Sequence, residues 1–530
     1  MARSTLFDAL RNTLRTSMLE GPSKEAVELA RSSRRAFVRN SALLSAGLVA
    51  ANGFAAPRTN PNLRIGIVGA GLGGLVAGWE LKRAGYLATV HEASGRAGGR
   101  CFSMGGRWGG PVNFPGQIVE RGGELIDTGH KTMLGYANEF GLATENLVKQ
   151  PGEVRYFFFG QQHSEATIVD EFRAFVPRMH ADLRTLSAAP TFFNKTAADV
   201  ALDQVSIREY LVTRGASALL TEVICEAYEA EYGLSADQQS CFNLLYFIRV
   251  NRQSNFEPFG VSDERYHLVD GNEAVPHAIA GRLVNQVRYG ERLESAKKNS
   301  AGEVVLSFRI NNRSVTATYD AVIFAIPFSV MRTVNLDASL GFSADKRRAI
   351  DTLGYGTNAK MMVGFNGPFW RALGNDGATY SDLTDHQATW ETNHSYATAS
   401  NAVLVDYSSG ARGANLDPSR LQTEAQKFVA AYDRVCPGAL ARVKKNAAGQ
   451  ILAHLEHWPS NPLSRGSYTC YTRGQFTGVA GLEGQTQGNC FFAGEHANSF
   501  YVWQGYLEGA CLSGKDAAAM VLQAIKVGQL

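Results

Sequence analysis

Apolar residues gather in short bursts from residue 65 onward, and the bursts switch between two periods. Residues 65–68 (IGIV) form an unbroken apolar run of strand length, closed by a turn with glycines at 69, 71 and 74. A helical run follows, and a second strand-length burst, residues 88–92 (ATVHE), ends on Glu92. Strand, glycine turn, helix and strand in that order predict a parallel β-α-β unit. Helical spacing returns after residue 130 and again across 165–250, most clearly over 207–220 and 244–250. Residues 303–325 alternate as strands at 304–310, 314–319 and 321–325. The fold class expected from this pattern is α/β, with a Rossmann-like first unit.

The glycine turn carries chemistry. Gly69 suits the tight turn, Gly71 lets a pyrophosphate approach the backbone, and Gly74 lets the helix pack closely on the strand. Phosphates placed there meet free N–H groups at the positive end of a helix. Glu92, about 20 residues further on, is positioned to accept a ribose hydroxyl. A second glycine loop, residues 95–100 (GRAGGR), adds Arg96, Gly99 and Arg100. A nicotinamide cofactor must come and go, whereas a flavin stays. A basic loop that encloses the pyrophosphate by forked hydrogen bonds therefore favours FAD. A mere strand-turn-helix does not explain why an acid ends the second strand; for the second loop the plainer alternative is a surface turn with solvated arginines.

Composition narrows the picture. The 530 residues are 45% hydrophobic and 19% charged, ordinary for a globular protein with core for two or three domains. The net charge of +3 is unevenly placed: residues 1–55 hold eight basic and four acidic side chains, leaving 44 and 45 in the remainder. The body of the chain thus has no basic footprint for nucleic acid. Seven scattered cysteines, none in a CxxC pair, predict neither a metal site nor a disulfide framework. Near the start, Arg34 and Arg35 precede a mildly apolar run over 41–51 and small residues at 53–56. That arrangement resembles a twin-arginine export signal. It implies the twin-arginine export machinery as a partner and a periplasmic or secreted location.

The pairing of the glycine turn with GRxGGR resembles the flavin-containing amine oxidase family of monoamine, polyamine and L-amino acid oxidases. Residues 354–365 (GYGTNAKMMVGF), followed by Pro368, Phe369 and Trp370, strengthen the resemblance. In the family, the lysine matched by Lys360 holds a water beside flavin N5. A lysine in an otherwise apolar strand needs a polar partner; an edge-strand lysine reaching solvent is the alternative. Residues 491–495 (FFAGE) resemble the turn where a glutamate, here Glu495 after Gly494, binds the ribityl chain. Residues 503–510 (WQGYLEGA), beginning with Trp503, resemble the start of the family's last helix, whose positive end faces the flavin. Tyr468 and Tyr506 match two aromatics that flank the substrate amine. Where monoamine oxidases carry a covalent flavin cysteine this chain has Ser467, and Cys470 lies three residues later. The resemblance therefore implies non-covalent FAD.

The same resemblance implies deamination of an amine with O2 to a carbonyl product, ammonia and hydrogen peroxide. The leading substrate is an L-amino acid, with a basic one such as arginine or lysine favoured; a monoamine or polyamine is the alternative. The arginine that fixes the substrate carboxylate in many L-amino acid oxidases is matched by Leu125. If the substrate is an amino acid, Arg121, Arg249, Arg252 or Arg473 must take its place. Asp127 matches an acid near the substrate entrance of polyamine oxidases, and Glu124 is a second candidate for a cationic substrate. Both could instead make local hydrogen bonds in the glycine-rich turn. A lipid desaturase or isomerase would share the glycine motifs but usually lacks the lysine and the tyrosine pair.

The expected organisation is an export signal over 1–55 and a Rossmann-like FAD-binding domain in three parts, 62–130, 266–335 and 461–530. An α+β substrate-binding domain is interleaved as a helical region, 131–265, and a second part, 336–460. A homodimer is a further expectation.

Overall fold

The computed structural model describes residues 63–147, 152–247, 264–392, 396–498 and 503–530. The proposed export signal, and Arg249 and Arg252, lie outside the described residues.

Five parallel strands form the first sheet, in the order Cys490–Phe492, Ala321–Phe324, Ile65–Val68, Ala88–Glu92, Val287–Tyr289. Ile65–Val68 is central and fully buried, as an apolar run without alternation requires in a sheet covered on both faces. Its register, Ile65 beside Ala88 and Val68 beside His91, brings Glu92 to the mouth of the glycine turn. Helix Leu72–Arg83 packs along the final helix, Leu507–Lys526. Contact is close because glycines meet there: a Cβ on Gly514 would stand 2.4 Å from the Gly73 carbonyl oxygen. The ends of a 455-residue span of chain, Leu72 to Lys526, are thereby joined beside the glycine turn.

The second large sheet has seven strands, ordered Ala453–His457, Ala359–Phe365, Ala402–Ser408, Ala388–Thr392, Asn375–Ser381, Glu153–Phe158, Gln161–His163. Its pairs are antiparallel except Asn375–Ser381 with Glu153–Phe158. Strand Ala359–Phe365 is buried at every position, and alternate residues serve two different cores. Met361 and Val363 pack with Phe428 and Tyr432 of helix Leu421–Val435, while Met362 joins the larger cluster on the opposite face. Lys360 points to the same side as Met362. The strand is paired on both flanks, so the edge-strand reading of Lys360 does not hold.

One predicted helix divides. Apolar spacing runs through 207–220, but the structure has helices Ile207–Thr213 and Ala218–Tyr232. Gly215 at φ +74° turns the chain, and the Ser217 hydroxyl accepts from the Leu220 N–H to begin a new helix. The strands expected at 304–310, 314–319 and 321–325 appear as Val304–Ile310, Arg313–Tyr319 and Ala321–Phe324. All seven cysteines are free and buried.

Candidate active site

The glycine turn opens one end of a cavity of about 330 Å³ that runs between the two large sheets. Gly69, Gly71, Glu92 and Gly99 line this end. Gly69 takes φ +103° and donates its N–H to the His91 carbonyl at 2.7 Å. Gly74 lies behind the wall, where a Cβ would stand 2.0 Å from the Gly69 carbonyl oxygen. Gly71 is different: a Cβ built there meets nothing within 4 Å, because its backbone faces the open cavity. The second glycine loop lies alongside, with the Gly98 N–H donating to the Ala70 carbonyl at 2.8 Å. Glu92 accepts from the Ala70 N–H at 2.8 Å and from the Ser94 hydroxyl at 2.7 Å, which fixes its carboxylate at the strand end.

The two arginines of that loop behave differently. Arg96 turns into its own loop, donating to the carbonyls of Ala97, Gly99 and Cys101 and to Glu273 at 3.1 Å. Burial pulls its guanidinium below the usual arginine range, with Glu273 opposing. Arg100 crosses the cavity and donates to the Ser467 carbonyl and to Glu495, each at 2.8 Å. The second Glu495 oxygen accepts from the Gly505 N–H at 2.8 Å, tying the turn at Gly494 to the entry of the final helix. Tyr506 is the N-cap residue of that helix. Trp503 stands outside the cavity wall, edge-on to the buried His130 ring at 4.9 Å, and His130 meets the Tyr506 ring at 5.4 Å.

At the far end the floor is one face of the seven-stranded sheet. Glu456, Lys360 and Tyr407 are directly opposed on three adjacent strands, and all three line the cavity. The Lys360 ammonium donates to the Glu120 carbonyl at 2.6 Å, the Gly122 carbonyl at 3.2 Å and Glu124 at 2.7 Å. Burial alone would push the Glu124 carboxyl up, but the charge and hydrogen bond of Lys360 outweigh it and hold the acid below its ordinary range. The Trp390 indole N–H also donates to Glu124, at 3.2 Å. Asp127 is buried beside His130 and accepts from the Glu264 N–H at 2.7 Å. Glu120 is anchored in turn by His267, which sits between Glu120 at 2.9 Å and Glu145 at 3.0 Å. Burial works against that imidazolium, yet the two carboxylates raise it to about 9.

Tyr468 donates to the Glu231 carbonyl at 2.5 Å, and its oxygen lies 3.0 Å from that of Tyr407. Burial drives both phenols well above their usual range, so both rings are neutral at any physiological pH. Ser467 lines the cavity and donates to Asn358, whereas Cys470 is buried away from the wall.

Among the cofactor, catalytic and acidic residues expected from the sequence, all but Gly74 and Trp503 line one cavity. Tyr407, Trp390 and Glu456 were missed. Each sits in an ordinary strand pattern and becomes conspicuous only through its neighbour across the sheet. Among the arginines considered for a carboxylate, Arg121 is in the wall, and Arg473 is exposed and outside it.

Residues 72–522 match the family described as flavin containing amine oxidoreductase. The chain belongs to that family. The enzyme is therefore a flavin amine oxidase, with FAD as cofactor and a small-molecule amine and O2 as its reactants. Similar proteins include the flavin-dependent L-tryptophan oxidase RebO of Lentzea aerocolonigenes, 25% identical over 88% of this chain and 98% of that protein. The L-amino-acid oxidase of Vipera ammodytes ammodytes is 21% identical over 90% of this chain and 96% of its own length. Among solved structures, cyclohexylamine oxidase from Brevibacterium oxydans superposes with a TM-score of 0.72 at 17% identity, over 87% of this chain and 99% of the other. A putrescine oxidase bound to putrescine gives 0.69 at 18% over the same shares. These likenesses show the α/β FAD-binding fold.

Proposed function

We propose that the enzyme oxidises the α-amine of an L-amino acid, with a basic one such as arginine or lysine as substrate, using non-covalent FAD. The observation that carries this reading is the cavity itself. One end is a glycine cradle open at Gly71, and the other holds an ammonium, two buried acids and a tyrosine pair. Relatives that act on L-amino acids extend over nearly the whole chain.

The residues fit the cofactor. Gly71 and the following helix start would receive the pyrophosphate, Glu92 the ribose, and the Arg100–Glu495 pair would lie beside the ribityl chain. When bound, FAD supplies the two-electron acceptor, and oxygen returns it to the oxidised state with release of peroxide. Everything else falls to the protein. Tyr468 and Tyr506 confine the amine, and the neutral Tyr468 acts by shape and ring quadrupole, not as a base. Lys360 stands at the reacting end, and its 3.2 Å contact to Gly122 is the one a water would most readily replace. Glu124 is paired to Lys360, so Asp127 is the acid of this wall that favours a cationic side chain.

Ser467 at the place of the family's tethering cysteine, with Cys470 outside the wall, supports non-covalent binding. Acid precipitation is then expected to release all flavin; flavin retained by the pellet contradicts it. Export through the arginines at 34 and 35 is part of the same reading. Changing both to lysine should leave the protein in the cytoplasm, and unchanged periplasmic recovery refutes the signal. The function itself is tested by peroxide release across L-amino acids and amines. Oxidation of L-arginine or L-lysine is expected; activity on putrescine with none on either amino acid overturns the substrate reading.

A further inference from the structure

The cavity wall holds five lysine or arginine side chains, and Lys360, Arg96 and Arg100 all donate terminal nitrogens to neighbours. Lys360 spends its three N–H groups on two carbonyls and Glu124. Arg96 is spent on its own loop and Glu273, and Arg100 directs one terminal nitrogen to both Ser467 and Glu495. Arg292 lies beside Glu291, at the glycine-turn end. Arg121 differs from these. Its Nε donates to Glu456 at 2.5 Å, but neither terminal nitrogen donates to any described residue. The guanidinium stacks 3.8 Å above the Phe102 ring, and its side chain keeps 17% of its exposure, so the fork is desolvated on one face and open on the other. Backbone bonds hold its base on both sides: the Arg121 N–H donates to Phe102, and Trp458 donates to the Arg121 carbonyl.

Register sets where that fork stands. Glu456 is directly opposite Lys360 on the neighbouring strand. Adjacent strands lie about 4.8 Å apart, so the Arg121–Glu456 pair sits one strand from the ammonium at the reacting end. An amine carbon held near Lys360 would place a carboxylate one bond away, within reach of an arginine fork. Glu456 stays ionised there: burial would raise it, but His454 and Arg121 hold it below its usual range. It therefore aims the guanidinium while leaving both terminal nitrogens free.

We propose that Arg121 is the carboxylate-binding residue of this enzyme, oriented by Glu456. It would replace the arginine that this chain lacks at Leu125. The inference rests on the L-amino acid reading above and makes it specific. An arginine fork recognises a planar carboxylate in two parallel hydrogen bonds, which a lysine cannot reproduce.

The test uses FAD-loaded wild type, Arg121→Gln and Arg121→Lys. The readout is the ratio of kcat/KM for L-arginine to that for agmatine, its decarboxylated counterpart. Losing a charge-assisted carboxylate contact should lower this ratio about 100-fold in the glutamine variant, with partial recovery in the lysine variant. A second readout needs no turnover: 5-guanidinopentanoate, which keeps the carboxylate but lacks the α-amine, is titrated against flavin absorbance. It should bind wild type and lose about 100-fold in affinity with Arg121→Gln. If wild type oxidises L-amino acids and Arg121→Gln keeps the ratio, the clamp is overturned and the substrate reading stands. An equal fall on both substrates with loss of FAD assigns Arg121 to the cofactor and also overturns it. A wild type that oxidises agmatine, but neither oxidises arginine nor binds the analogue, overturns both.

Discussion

Removing Glu124 should expose how much of the site depends on one buried ion pair. The Lys360 and Glu124 side chains are 5% and 4% exposed, and the charged atoms are 2.7 Å apart. At an effective dielectric near 20 their attraction is about 6 kcal/mol, before the cost of desolvating both groups. Breaking such a pair from one side leaves a buried charge behind and typically costs about 3–5 kcal/mol. Lys360 would retain the carbonyls of Glu120 and Gly122, so the lower end applies. Glu124→Gln should therefore destabilise by about 3 kcal/mol, and Lys360→Met by a similar amount, since it leaves Glu124 with neutral donors such as Trp390 in place of an ammonium. The double variant removes both charges and should recover about 2 kcal/mol of the summed loss. Urea unfolding followed by tryptophan fluorescence, at a fixed excess of FAD, gives all four stabilities. Single losses that add within about 0.5 kcal/mol would refute the pair as a coupled unit.

Other outcomes follow from the same geometry. Gly71→Ala should leave apoprotein stability unchanged, because the new Cβ meets nothing within 4 Å, yet weaken FAD binding at least tenfold; equal FAD affinity by fluorescence titration would remove Gly71 from the cradle. Tyr468→Phe should lower kcat less than about fivefold and Tyr468→Ala by about 100-fold, since the phenol is neutral and the ring does the confining; steady-state peroxide assays decide it. Glu226 lies on helix Ala218–Tyr232, and burial together with Glu229 raises it to about 8. A raised carboxyl stabilises most below its unfolded value near 4.5 and loses that stability as pH climbs through 8. Glu226→Gln should thus gain on the order of 3 kcal/mol over wild type at pH about 9 and little at pH about 5; thermal scans at both values with no difference between them would contradict this.

How much of this was legible in the sequence follows from how local each feature is. The glycine turn could be read because Gly69, Gly71, Gly74 and Glu92 fall within 24 consecutive residues whose spacing the backbone dictates. Lys360 was visible as a polar residue in an apolar strand, but its partner was not: Glu124 is 236 residues away. Tyr407 and Glu456 flank Lys360 only through antiparallel register, which no local pattern specifies. Arg96 was expected to face a pyrophosphate, yet its loop is short enough for the guanidinium to reach its own carbonyls. The split at Gly215 shows the converse limit. Apolar periodicity continues through 207–220 because both helices feed one core, while a glycine and a serine cap decide where each stops and starts.

The cavity is proposed to join FAD to the amine of an L-amino acid. Anaerobic mixing of the FAD-loaded enzyme with L-arginine or L-lysine tests it most directly. Oxidised-flavin absorbance should be lost and restored when oxygen is admitted, with one peroxide formed per ammonia released. Flavin that stays oxidised with both amino acids, yet bleaches with putrescine or cyclohexylamine, would contradict it.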